Sequence, residues 1–143
     1  MLRGRLALVS VHLCFFCLSA LMPQPAANVC TKDIMKNVQF LINTSDLKVL
    51  DCRLYTPTIN DYQQNCPSAT MKCFAAEISV LMEEWETIPY HGFGLDKKLE
   101  KLAKLLNQTE SECHQCEFFK EQNAEKFLNN LHSTLQRMNS EHC

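Results

Sequence analysis

The chain has 143 residues, 21% of them charged, with a formal net charge of -2 and nine cysteines. With 14 basic residues against 16 acidic ones and no basic cluster, nucleic-acid binding has little support. No Gly-rich phosphate loop, nucleophile elbow or metal motif is present, so neither catalysis nor a cofactor is expected.

Residues 1–27 have the form of a cleaved signal peptide. Arg3 and Arg5 give a basic start, an apolar run extends from Leu6 to Met22, and Ala20, Ala26 and Ala27 offer cleavage sites between positions 20 and 28. The run is marginal for a membrane span, which needs about 20 residues, and its flanks suit a signal peptide better. No second run has spanning length. The expected product, residues 28–143, is one secreted, extracellular domain without stable membrane insertion. Losing Arg3 and Arg5 takes the formal charge from -2 to -4. Cys14 and Cys17 leave with the leader, so seven cysteines enter an oxidising compartment. An odd count leaves one thiol free, capped, or paired with another chain.

Four amphipathic helices follow in order. The first opens at Thr31, an N-cap residue type, with Asp33 in the first turn and Ile34, Val38, Leu41 and Ile42 at helical spacing. Asn43-Thr44-Ser45-Asp46 weakens it. A long connection from Leu47 to Cys66 has an apolar first half, Val49, Leu50, Leu54 and Tyr55, which suggests a crossover packed along a bundle. The second helix starts near Pro67 or Ser68, with Met71, Phe74, Ile78, Leu81, Met82 and Trp85 as its apolar stripe. Pro89, Gly92 and Gly94 mark a turn. A shorter third helix runs from about Asp96, with Leu99, Leu102, Ala103 and Leu106 inward. The fourth is expected from a capping box at Thr109-Glu110-Ser111-Glu112, continuing through Cys116, Phe119, Asn123, Phe127, Leu131, Leu135 and Met138. Almost no strand signal is present. An all-α, four-helix bundle of the up-up-down-down cytokine type is expected, its long first crossover favouring that connectivity over a simple up-down bundle; the link from Asn107 to Thr109 is short for the second crossover.

The cysteines sharpen this reading. Cys66 and Cys73 are seven apart, Cys113 and Cys116 three apart, and on helices both spacings place side chains on one face. A thioredoxin-type redox motif at Cys113-His114-Gln115-Cys116 would need a preceding strand in a βαβ setting. Zinc ligands come as two close pairs, and a seven-residue gap fits that poorly, so no metal is expected. Structural disulfides fit the leader. Four cysteines allow three connectivities, of which the parallel match, Cys66 with Cys113 and Cys73 with Cys116, runs without crossing. Each such bridge closes a loop of roughly 45 residues, worth about 3–4 kcal/mol. Antiparallel first and fourth helices put Cys30 and Cys143 at one end, which leaves a third bridge open. Cys30 with Cys52 would instead require the chain to fold back about 20 Å, and Cys52 stays unassigned.

Several segments are similar to a known family. Leu54-Tyr55-Thr56, then Ala69-Thr70-Met71-Lys72-Cys73-Phe74 with Glu77, then Thr109-Glu110-Ser111, Cys113-x-x-Cys116-Glu117, Asn123 and Phe127-Leu128 resemble, in order, the interleukin-15 and interleukin-15-like cytokines of the interleukin-2/interleukin-15 family. The short leader and Cys30, Cys52 and Cys143 lean toward the interleukin-15-like branch.

The resemblance implies disulfides Cys66–Cys113 and Cys73–Cys116, and a receptor system of an interleukin-15-receptor-alpha-like chain, a shared beta chain and the common gamma chain on lymphocytes. It assigns Tyr55, Glu77, Val80, Glu84 and Glu100 to the alpha-chain face, where acidic residues meet a basic receptor. It assigns Gln136 to the gamma chain. For the beta chain it points to Asp33, while an ungapped extension from Tyr55 places Asn37 there instead, and Lys101 stands where the family has an asparagine. Asn43-Thr44-Ser45 and Asn107-Gln108-Thr109 are glycosylation acceptors in a secreted chain. The alternative function, a disulfide-stapled helical module that binds lipid or membranes, would want a cationic amphipathic surface, whereas this chain is acidic.

Overall fold

Helical periodicity in the sequence becomes helices that share one core. The computed structural model describes residues 30–64, 66–85, 94–106 and 112–143, without the side chains of residues 45 and 46. The expected signal peptide with Cys14 and Cys17, the turn at Pro89 and Gly92, the Asn107 acceptor and the Thr109-Glu110-Ser111 cap lie outside the described residues.

Helix α1 spans Lys32–Ile42 and buries Val38 and Leu41. It ends where the Thr44 hydroxyl donates back to the Phe40 carbonyl at 2.9 Å, satisfying one of the acceptors a helix end leaves open. Thr31, expected to cap α1, makes no capping bond. Its hydroxyl donates instead to the Leu135 carbonyl at 2.8 Å, and its N–H donates to Asn139 Oδ1 at 3.1 Å. Thr31 is 0% exposed, so a tertiary clamp takes the place of the local cap.

A short helix α2, Ile59–Gln63, lies in the first crossover. Thr58 and Asp61 cap it reciprocally: the Thr58 N–H donates to Asp61 Oδ2 at 2.7 Å and the Asp61 N–H to Thr58 Oγ1 at 3.4 Å. Helix α3, Pro67–Glu84, starts on a proline whose missing N–H costs nothing there. It buries Met71, Phe74, Ile78 and Leu81, and Trp85 is buried just beyond it. Helix α4, Leu95–Leu105, follows Gly94 at φ +64°, a left-handed conformation that a side chain would strain. Helix α5, Ala124–His142, is capped by Asn123, whose Oδ1 accepts the Lys126 N–H at 2.8 Å. Phe127, Leu128, Leu131, Leu135 and Met138 form its buried stripe, and the Phe127 ring meets Phe74 of α3 at 5.6 Å.

The fourth helix therefore begins later than the sequence suggests. Residues 112–115 are irregular, Cys116–Phe118 form one 3₁₀ turn, and Glu121–Asn123 are extended. Cys113, Cys116 and Phe119 are not on a helix, so only one cysteine pair, Cys66 and Cys73, borders or sits on one. The reason is length. An up-up-down-down bundle needs its last connection to climb the whole bundle, and extended chain rises about 3.3 Å per residue against 1.5 Å for helix. Residues 112–123 belong to that climb, and the short link expected from Asn107 to Thr109 lies outside the described residues.

Strands β1, Arg53–Tyr55, and β2, Glu121–Asn123, pair antiparallel, with Arg53 opposite Asn123, Leu54 opposite Gln122 and Tyr55 opposite Glu121. The Thr56 N–H extends the ladder to the Lys120 carbonyl at 2.9 Å. This ribbon joins the two crossovers and was not expected from a sequence with almost no strand signal. Val49 also departs from expectation: it is 82% exposed, while Leu47 and Leu54 carry the packing of the first crossover.

Polar contacts fix the helix directions. Thr31 ties the start of α1 to the end of α5. Tyr62, just ahead of α3, donates its hydroxyl to Glu141 near the end of α5 at 3.2 Å, so α1 and α3 begin at the same end. Ser68 of α3 donates to the Ala103 carbonyl of α4 at 2.8 Å, which sets α4 antiparallel to α3. The result is a four-helix up-up-down-down bundle of α1, α3, α4 and α5.

Burial, and then the Glu141 carboxylate, push the Tyr62 phenol up to about 12. The folded state thus favours neutral Tyr62. Its contribution to stability is present below the ordinary tyrosine value and lost as pH rises through about 12. A Tyr62→Phe variant is expected to lose about 1 kcal/mol at neutral pH and to have a flatter alkaline limb in urea unfolding than the parent.

Candidate functional site

Three disulfides anchor the segments around α3 and α5. Cys66–Cys113 and Cys73–Cys116 have Cα separations of 5.9 and 5.2 Å, and Cys30–Cys143, at 5.7 Å, closes the ends of α1 and α5 together. These lie within the usual range for a bridge. Cys52 is free and 6% exposed. Burial pushes its thiol pKa up, and Glu84, Glu77 and Asp51 add to that effect, so the reactive thiolate is disfavoured. Cys52 is expected to resist alkylation in the folded protein and to react once it is unfolded, read by mass spectrometry.

The Cys73–Cys116 bridge also builds a surface. Glu77 sits one helical turn after Cys73, and Cys116 Sγ lies 4.0 Å from Glu77 Oε1. From the other side, the Tyr55 N–H of β1 donates to Glu77 Oε2 at 3.0 Å. Glu77 is thereby held half-buried between α3 and the ribbon. Burial pushes its pKa up; the Tyr55 hydrogen bond opposes this, and the nearby Glu121 and Glu117 carboxylates reinforce it. Among the described residues no lysine or arginine forms a salt bridge with Glu77, Glu117 or Glu121. A half-buried acid facing two more acids is an arrangement that folding alone does not favour.

Val80 and Glu84 continue from Glu77 along the same α3 face, at spacings of three and four. Val80 is 41% exposed and Glu84 is exposed. The structure thus joins Tyr55 to Glu77 and aligns Val80 and Glu84 with them. Glu100 stands apart on α4, exposed, with Lys97 at 3.9 Å. Glu117 and Glu121 were not singled out for this face by sequence reasoning. Glu117 follows a cysteine tied one turn before Glu77, so the pairing pattern carried a signal for it. Glu121 joins only because β2 places it opposite Tyr55.

The other expected positions lie on separate helices. Asp33 is exposed and Asn37 half-buried, one turn apart on α1. Lys101 is exposed on α4 and Gln136 exposed on α5. Asn43 is exposed at the C-terminus of α1, its Oδ1 accepting from Gln39 Nε2 at 3.2 Å. Among the described residues no group of three or more His, Cys, Asp or Glu side chains could hold a metal ion, and no helix is long and apolar enough to cross a membrane.

The interleukin 15 family profile matches residues 12–139, which takes in α1, the ribbon, α3, α4 and most of α5. The chain belongs to the interleukin 15 family. Interleukin-15 of Homo sapiens is 31% identical over 121 residues, covering 78% of this chain and 68% of that one. Interleukin-15 of Oryctolagus cuniculus is 29% identical over 132 residues, covering 86% and 76%, and that of Felis catus is 28% identical over 120 residues, covering 78% and 68%. This interleukin 15 family chain is a disulfide-bonded helical cytokine and not an enzyme.

Glu77 gives the family chain a testable pH signature. A carboxyl whose pKa is raised on folding contributes stability that is present below its ordinary value and lost as pH rises through the raised one. At neutral pH the ionised group is therefore a liability. Glu77→Gln, which keeps an oxygen to accept the Tyr55 N–H, is expected to match or exceed the parent's thermal midpoint at pH 7. Its advantage is expected to shrink as pH falls to the ordinary glutamate range.

Proposed function

We propose that this chain is secreted after removal of its leader and acts as a cytokine by assembling receptor chains. An interleukin-15-receptor-alpha-like chain binds the face formed by Tyr55, Glu77, Val80 and Glu84, with Glu117 and Glu121 adding negative charge. A shared beta chain takes a surface including Asp33 or Asn37 on α1 and Lys101 on α4. The common gamma chain takes α5 around Gln136, and the assembled pair signals to lymphocytes. Asn43 and Asn107 are its glycosylation acceptors.

The observation that carries this reading is Glu77: a carboxylate held half-buried by the Tyr55 N–H and crowded by Glu117 and Glu121. A basic partner relieves that crowding, accelerates encounter and discriminates against wrong partners. Glu100, on another helix with Lys97, belongs to the edge of the face at most. The test is binding of the purified protein to a soluble interleukin-15 receptor alpha chain of the same species, by surface plasmon resonance across ionic strengths. Saturable binding that weakens with salt is expected; its absence removes the assignment.

A further inference from the structure

Phe118 is 74% exposed, far more than the other aromatic rings with a described exposure. A phenyl ring in water is unfavourable, and its burial against a partner is worth far more than that of a small side chain. Its mounting is rigid. Cys116, two residues earlier, is bridged to Cys73 of α3. The Phe118 N–H donates to the Gln115 carbonyl at 3.0 Å and the Phe119 N–H to the Cys116 carbonyl at 3.1 Å. The His114 ring stands 5.6 Å from it at an angle of 41°. The ring therefore projects from a turn that is already ordered, so little conformational freedom remains to be lost on binding.

Its neighbours carry charge. Glu117 precedes it, and both Glu117 and Glu121 act on Glu77; exposed Lys120 is the basic residue within the same stretch. Interface energy concentrates in a few aromatic or arginine anchors ringed by polar residues that exclude water. An exposed ring on the turn whose Cys116 lies 4.0 Å from Glu77, with Glu117 and Glu121 in the same stretch of chain, has that composition.

We propose that Phe118 is the apolar anchor of the acidic face, and that the partner is a receptor surface whose basic residues surround one apolar cavity of phenyl size. This rests on the alpha-chain reading above and adds what fixes the dissociation rate: Glu77, Glu117 and Glu121 steer the encounter, and Phe118, with Val80 beside Glu77 on α3, holds the complex.

The test compares the parent, Glu77→Lys, Phe118→Ala and Phe118→Leu against the soluble receptor alpha chain, with association and dissociation rates measured separately at low and physiological salt. Phe118→Ala is expected to weaken binding by about tenfold or more, almost all of it in faster dissociation, with the salt dependence unchanged and Phe118→Leu intermediate. Its thermal midpoint should equal the parent's, because the ring is exposed. If Phe118→Ala stays within about twofold of the parent while Glu77→Lys loses binding, the anchor is wrong and the acidic face stands. If the parent itself does not bind, the alpha-chain reading falls and the anchor with it. If the parent sediments as a dimer and Phe118→Ala as a monomer, the ring serves a second copy of this chain, and the receptor anchor is overturned.

Discussion

Glu77→Lys is expected to weaken binding to the receptor alpha chain by about 30-fold or more, corresponding to the 2 kcal/mol and upward seen when one partner of a close charge pair is lost. Two effects act together. The positive charge repels a basic partner before contact, which lowers the association rate. The lysine also cannot accept the Tyr55 N–H, which the carboxylate accepts at 3.0 Å, so β1 loses its tie to α3. Glu77→Gln separates these effects, because it keeps the acceptor and removes only the charge. A Gln variant with a parental circular dichroism spectrum and intermediate affinity would assign the loss to electrostatics. Equal affinities for parent and Glu77→Lys would remove Glu77 from the interface.

Paired replacement of Cys73 and Cys116 by serine is expected to lower stability by about 2–3 kcal/mol, less than the bridge would contribute on its own, read as a shift in urea midpoint under oxidising conditions. The bridge closes a loop with a sequence separation of 43 residues, and its loss returns that loop's freedom to the unfolded chain. Cys66–Cys113, nearby, limits the loss because it continues to restrain much of the same loop. The functional consequence should exceed the thermodynamic one. Cys116, 4.0 Å from Glu77, anchors the turn that carries Glu117 and Phe118, so the double variant, even where folded, is expected to bind the alpha chain more weakly. Unchanged binding in a folded double variant would mean that the ribbon alone positions the turn.

Helices α1, α3 and α4 and the stripe of α5 were legible because each repeats apolar residues every three or four positions, and that periodicity is local. Pro67 and Gly94 marked their boundaries for equally local reasons. The start of α5 is not legible in the sequence because Thr109-Glu110-Ser111-Glu112 and Asn123 are both capping signals, and local chemistry does not choose between them. The β1–β2 ribbon was invisible because three-residue strands are too short to show alternation. Glu117 and Glu121 were missed for the face because their meeting with Glu77 depends on a disulfide and a strand register.

What residue order determines here by itself is therefore the set of amphipathic helices, the number of cysteines available for bridges, and the Glu77-Val80-Glu84 line on α3, each following from spacing along one helix. Tertiary structure alone decided that residues 112–123 form irregular chain, one 3₁₀ turn and a strand rather than helix, that Thr31 clamps α5 rather than capping α1, and that Cys52 is buried and unbridged. It also decided that Tyr55, Glu77, Glu117 and Glu121 meet. The physical reason is common to all four. Helical periodicity is fixed by backbone geometry within a few residues, whereas a crossover's path is set by the distance it must span and the partners it meets on the way.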